Sequence, residues 1–258
     1  MNKQEAEARV RKSSNPFWEL VKVQGKLALR EPTGIIFGLA FPAFLLIIFG
    51  IIPAFGKNVS GTNLTVFEVY IPILMITGLI FIGLFSLPIS FVRDREIGWL
   101  RRISTTPVSP AKLLAAQVTI NLVLAVISFT ILLAGSDLIF GLKAAFEIPG
   151  FVLSIALATI TMFSLGLVVA AIAPSQGVAA GMGQGLLYPL LFFAGIYVPI
   201  QVLPRSIQTI ASFTPVGAAV KALDSSMTGT FPSTIPLLVM TAYTVLFGFI
   251  AIRYFKWE

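Results

Sequence analysis

The chain has 258 residues, 57% hydrophobic and only 11% charged, with a formal net charge of +7. A water-soluble domain is closer to one quarter charged, so this composition belongs to a protein whose main solvent is lipid. Cysteine and histidine are both absent, which excludes disulfides, thiol chemistry, His-containing zinc sites and His-dependent triads; no catalytic residue and no metal ligand is assigned.

Residues 1–32 form a polar N-terminal segment of mixed charge, with none of the n-region and short apolar core of a removable signal peptide. Within it, NPFWELVKVQGKLALRE (15–31) reads as an amphipathic helix. Asn15-Pro16 opens it and Pro32 closes it; Glu19, Lys22, Lys26 and Arg30 share one face, while Phe17, Leu20, Val21, Leu27 and Ala28 fall on the other. A basic amphipathic segment beside a span lies in the lipid interface.

Residues 33–258 hold six apolar stretches, near 33–54, 70–92, 111–134, 149–173, 178–198 and 234–254, each about the 20 residues that cross a bilayer as a helix. Pro42, Pro72, Pro88 and Pro189 fall inside them, as membrane helices tolerate. The expected fold is an all-α integral membrane protein with six transmembrane helices.

Between the second and third stretches, FVRDREIGWLRRISTTPVSP (91–110) packs six charges into ten positions: Arg93, Asp94, Arg95, Glu96, Arg101 and Arg102. Ile97, Leu100 and Ile103 share a helical face, Thr106-Pro107 stops that face, and Ser109-Pro110 starts the third span. The spacing predicts a short amphipathic helix over about 93–107, lying along the membrane surface. A topology signal accounts for the arginines, but not for Asp94, Glu96, Gly98 or the closing T-P-x-S-P.

Gly177, Gly181 and Gly185 recur every four residues on the fifth span, a small-residue ridge suited to close helix packing within the chain or with a second copy. The following segment, GIYVPIQVLPRSIQTIASFTPVGAAVKAL (195–223), is too apolar for an exposed loop, yet its three prolines forbid a straight crossing. Short re-entrant helices between spans five and six fit both facts.

Fourteen of the eighteen Lys and Arg residues lie on one side: seven in the N-terminal segment, then Arg93, Arg95, Arg101, Arg102 and Lys112, then Arg253 and Lys256. Lys57, Lys143, Arg205 and Lys221 lie on the other. This bias puts both termini and the charged connector in the cytoplasm and points the basic balance at a membrane face, with no nucleic-acid partner. The sequons at Asn58 and Asn63 fall on the outer side and carry no functional weight. No Asp, Glu, Lys or Arg lies deep in a span as drawn, with Asp137 just past the third, which argues against an ion-coupled secondary transporter. Milder polar groups such as Ser128 and Thr161 suit helix-to-helix hydrogen bonds, while Asn121 and Gln184 are candidates to line a path. There is no G-x-x-x-x-G-K-[ST] loop.

Asp94-Arg95-Glu96-Ile97-Gly98-Trp99-Leu100, followed by Thr106-Pro107-Val108-Ser109, resembles the cytoplasmic loop of ABC-2-type (type V) exporter permeases. The closest flavour is the bacterial drug-resistance branch, similar to daunorubicin-type export permeases. Gly195, Pro199, Leu203, Pro204 and Pro215 match a second family pattern, G-x-x-x-P…L-P…P. Trp99 and Arg101 depart from the usual residues, which bears on which ATPase would dock. The resemblance implies a permease half of an exporter in a bacterial plasma membrane, itself non-enzymatic. It would pair with a second permease copy, identical or related, and two ABC ATPase subunits that bind the ATP and Mg. Arg93, Asp94, Arg95, Glu96, Gly98, Leu100, Arg101, Arg102 and Pro107 would couple to the ATPase, and the 199–223 segment would be the outer gate. Phe81, Phe85, Asn121, Tyr188, Phe192 and Phe193 are candidate path-lining groups for a lipophilic drug-like or lipid cargo. A polysaccharide or glycolipid export permease is the alternative.

Overall fold

A computed structural model of the chain describes residues 16–30, 32–59, 64–98, 110–142 and 144–254. The described residues are almost wholly helical, without strands. α1 (Pro16–Arg30) is followed by α2 (Pro32–Ile35), which runs through a π turn (Ile36–Ala40) into α3 (Phe41–Ile51). α4 (Val66–Phe81) passes through a second π turn (Ile82–Ser86) into α5 (Leu87–Glu96). Then come α6 (Pro110–Phe140), α7 (Ile148–Ile172) and α8 (Gln176–Ala194), the short helices α9 (Arg205–Ser212) and α10 (Pro215–Met227), and α11 (Thr234–Tyr254).

Among the described residues, five helices are long and apolar enough to cross a membrane: Val66–Glu96, the greater part of α6, α7, α8 and α11. The first expected span appears as a shorter apolar helix, Ile36–Ile51, ended where Pro53 begins a separate 3-10 turn. α1 ends at Arg30, before Pro32, and Pro32 then stands in the first turn of α2. One boundary differs from the sequence reading. α6 continues to Phe140, which places Asp137 on the helix as an exposed group of its final turn.

Local chemistry sets the helix ends. Thr65 and Glu68 form a reciprocal capping box at the start of α4, with bonds of 3.2 Å and 2.7 Å. Glu147, Ser175 and Thr214 cap α7, α8 and α10 through their side-chain oxygens. Gly195, at φ +90°, takes the left-handed turn that ends α8.

The Val66–Glu96 helix is the most deeply buried span and forms the centre of the bundle. Ile71, Leu74, Met75, Ile76, Leu79 and Ile80 are sealed in its core. Glycine allows its neighbours to touch backbone to backbone. A Cβ on Gly166 of α7 would stand 2.0 Å from the Gly83 carbonyl oxygen in the second π turn, and one on Gly83 would stand 2.8 Å from the Met162 carbonyl oxygen. The first π turn is tied in by Ser128 of α6, whose hydroxyl donates to the Gly38 carbonyl at 2.9 Å. Thr161 of α7 donates to the Leu157 carbonyl and lies 2.8 Å from the Thr244 hydroxyl of α11. Such bonds join helices where apolar burial no longer distinguishes partner from lipid.

Candidate functional site

The charged segment begins as the last turns of α5, where Asp94, Arg95 and Glu96 each meet a different part of the bundle. Asp94, only 2% exposed, is the hub. Its Oδ2 accepts from Gln117 Nε2 of α6 at 2.7 Å and from Gln24 Nε2 of α1 at 3.1 Å. Its Oδ1 accepts from the Arg93 guanidinium at 3.3 Å. A carboxylate out of water is retained only where hydrogen bonds and an opposite charge replace hydration. Here those replacements join the amphipathic helix and two long helices.

Arg95 points to the end of α7, donating to the carbonyls of Ala170 and Ala173. The last carbonyls of a helix lack intrahelical partners and carry the negative end of its dipole, so a guanidinium suits them. Glu96 does the reverse at the start of α8, accepting from the Gln176 backbone N–H at 3.1 Å and from Gln176 Nε2 at 2.6 Å. An anion there meets orphan donors and a positive dipole end. Arg95 and Glu96 thus hold opposite sides of the Ala173–Ser175 corner. Gly98, at φ +69°, stops the helix immediately afterwards, with its N–H on the Arg95 carbonyl.

Above this hub, a cavity of about 290 Å³ lies between α1, α2, α5 and α6, lined by Gln24, Phe85, Ser86, Arg93, Gln117 and Asn121 among others. Asn121 Nδ2 donates to the Gln117 carbonyl at 2.9 Å. That bond and the Gln117–Asp94 bond fix both amides with their nitrogens occupied. The carbonyl oxygens Gln117 Oε1 and Asn121 Oδ1 are left buried, with no donor among the described residues.

The remaining sequence candidates divide by place. Phe81 is 6% exposed and packed against Phe37, Phe41 and Phe85 with ring centroids 5.4–5.9 Å apart; it belongs to the core and lines neither main cavity. Phe85 and Asn121 line the cavity above Asp94. Tyr188, 56% exposed, and Phe192 lie on the outer surface of α8, where the Tyr188 hydroxyl accepts from Gln184 Nε2 at 3.2 Å; Phe193 is half-buried beside Phe192. Gly177, Gly181 and Gly185 lie near that outer surface, and a Cβ added at any of them meets no atom within 4 Å. Within the chain, the glycine ridge has no close partner among the described residues.

At the far end, Gly195 ends α8, Pro199 and Leu203 flank a 3-10 turn, Pro204 precedes α9 and Pro215 opens α10. The two short helices meet at Phe213-Thr214, where a Cβ on Gly217 would stand 2.1 Å from the Ala211 carbonyl oxygen. Leu100, Arg101, Arg102 and Pro107 lie outside the described residues, as does the amphipathic stretch from position 99 to 109. Sequence reasoning missed Gln24, Gln117 and Gln176, the uncharged partners of Asp94 and Glu96. A glutamine in the apolar third span was the available signal.

The family model for "ABC-2 type transporter" matches residues 15–228. Comparison with curated proteins finds no match.

Proposed function

Because the chain belongs to the ABC-2 type transporter family, as a multi-pass membrane permease whose family works with an ABC ATPase, we propose that it is one half of the membrane pore of an ATP-driven exporter. Two copies, or this chain and a related one, enclose the path, and two separate ATPase subunits bind ATP and Mg and supply the force. The chain itself is non-catalytic. The Arg93–Glu96 end and both termini face the cytoplasm, as the lysine and arginine bias favours. Ile36–Ile51 serves as the first of six spans, and α9 and α10 re-enter the outer leaflet as the gate.

The observation that carries this reading is the fan of contacts from Arg93 to Glu96. Three consecutive residues, Asp94, Arg95 and Glu96, bind α1 and α6, the end of α7 and the start of α8. A push on the segment that follows Gly98 is therefore delivered to four helices at once. Coupling in this proposal runs through the 93–107 stretch, with the first four residues acting as a transmission inside the permease. The part beyond Gly98 meets the ATPase.

The uncovered surface of α8, with Gly177, Gly181, Gly185, Tyr188 and Phe192, supports a second permease copy as its partner. Cargo of a lipophilic, drug-like or lipid kind suits a path bounded by such apolar and aromatic groups. Co-reconstitution with a candidate ABC ATPase subunit tests the proposal. Export should appear only in the pair and vanish with a catalytically dead ATPase; nucleotide-independent pumping by this chain alone contradicts it.

A further inference from the structure

At the end of the bundle opposite Arg93–Glu96, α9 and α10 line an open cavity of about 440 Å³ with the Ile200–Val202 turn on its rim. That volume falls in the range of about 300–1,000 Å³ typical of ligand pockets. Three charged side chains line it: Arg205 at the start of α9, and Lys221 and Asp224 one turn apart on α10. A spacing of three normally brings opposite charges together on a helix. Among the described residues, however, neither Lys221 nor Arg205 has a carboxylate within 4.0 Å, and the Asp224 carboxyl makes no hydrogen bond. Its backbone carbonyl is occupied, by the N–H and hydroxyl of Thr228, but its side chain is not.

The neutral lining groups behave differently. Gln208 Nε2 donates to the carbonyls of Gln201 and Leu203 at 3.1 Å and 2.8 Å, fixing the rim. The hydroxyls of Thr209 and Ser212 donate to carbonyls of α9. Gln208, Thr209 and Ser212 are thus satisfied internally, while the side chains of Arg205, Lys221 and Asp224 pair with no described residue. Burial without compensation also raises the Asp224 pKa, which marks that carboxyl as short of donors.

We propose that this cavity binds a zwitterionic head carrying both a phosphate and a primary ammonium, of the phosphoethanolamine type. The phosphate bridges Arg205 and Lys221, because a guanidinium fork and an ammonium are matched to phosphate oxygens. The ammonium donates to Asp224. A simple anion would fill the cationic part and leave Asp224 unpaired against it. A choline head carries positive charge but has no N–H to give the carboxyl. The selectivity therefore follows from Asp224 and the affinity from the two cations. The head can arrive on a membrane phospholipid or as a soluble molecule, and the site recognises the same chemistry in both. None of this requires the ATPase or a direction of transport.

Native mass spectrometry of the full chain in detergent, offered phosphatidylethanolamine, phosphatidylglycerol and phosphatidylcholine in turn, tests the site. Phosphatidylethanolamine should be retained at least fivefold over the other two. Asp224→Asn should level ethanolamine with glycerol, and the pair Arg205→Gln with Lys221→Gln should reduce retention of both. Arg205→Lys with Lys221→Arg, which keeps the charges, should restore it and controls for folding. Soluble O-phosphoethanolamine distinguishes the sources: if it displaces the lipid, the head alone is sufficient, and if it raises the thermal midpoint without any lipid retention, the ligand is the soluble one. Equal retention of all three lipids with no response to O-phosphoethanolamine, or retention indifferent to the substitutions, overturns the proposal.

Discussion

Glu96 accepts two hydrogen bonds from Gln176, from the backbone N–H at 3.1 Å and from Nε2 at 2.6 Å, across 80 positions of sequence. Its neighbour Arg95 holds the end of the preceding helix, so the corner between α7 and α8 is gripped from both sides. Glu96→Lys would place a cation at the positive end of the α8 dipole and turn a favourable term of about 0.3–1 kcal/mol into a repulsive one. The variant should insert and bind its ATPase but export at least tenfold less cargo per ATP hydrolysed, with Glu96→Gln intermediate. Vesicle transport measured alongside ATP turnover checks this; an unchanged ratio in Glu96→Lys would contradict it.

Asp94 is a buried hub, and removing it strands donors from two other helices. Asp94→Ala should lower stability by about 2–4 kcal/mol, because Gln24, Gln117 and Arg93 each lose an acceptor out of water. Gln24→Ala should cost less, about 1 kcal/mol, while loosening α1. Thermal unfolding in detergent measures the first, and the emission of Trp18, the only tryptophan on α1, reports the second when Trp99 and Trp257 are replaced by Phe. A normal midpoint for Asp94→Ala would remove the hub.

Two sets of glycines should respond in opposite ways. Gly166→Ala forces a methyl group against the Gly83 carbonyl, and overpacking of backbone against backbone costs about 1–3 kcal/mol or more. Gly181→Leu meets no atom within 4 Å inside the chain, so the protomer's thermal midpoint should hold while its dimer fraction falls. Light scattering in detergent reads the second effect. A destabilised Gly181→Leu monomer, or an unaffected Gly166→Ala, would reverse the assignment of these surfaces.

Asp224 predicts a dependence on pH. Burial raises its carboxyl pKa above the ordinary value of 3.8, so the folded chain binds this proton more tightly than the unfolded chain. The associated stability is complete below about pH 4 and is lost as pH rises through the raised folded value. Lys221 and Arg205 line the larger cavity with Asp224, and Glu68 lines a smaller one with it. In lipid-free detergent, Asp224→Asn should therefore gain midpoint over wild type as pH rises from about 4 to 7. A constant gap would indicate a carboxyl that is not buried in solution.

The spans were legible because each needs only a run of apolar residues, and runs survive without knowledge of partners. The caps at Ser175 and Thr214 and the break at Gly195 rest on local chemistry too, but the sequence reading did not assign them and ran the fifth span on to 198. The role of Asp94 was not legible. A charge beside arginines at a membrane exit reads as solvated, and its partners Gln24 and Gln117 lie 70 and 23 positions away with no periodicity to connect them. The π turns at Ile36–Ala40 and Ile82–Ser86 were hidden for a related reason, since Gly83 gains its meaning only when Gly166 is packed against it. The glycine ridge was visible as a spacing, but its lack of a close internal partner is a fact of the tertiary structure. Phe81 was placed on the path from its residue type alone, and the surrounding rings put it in the core.

The central claim is that force from an ATPase enters at the end of α5. The natural absence of cysteine makes one measurement direct: single cysteines at Ile97, exposed just beyond Glu96, and at Leu138, exposed at the far end of α6, each tested for cross-linking to the ATPase in the assembled transporter. The account predicts a cross-link from Ile97→Cys whose yield changes with ATP, and none from Leu138→Cys. A cross-link from Leu138→Cys alone, or none from Ile97→Cys in a complex that still exports, would contradict it.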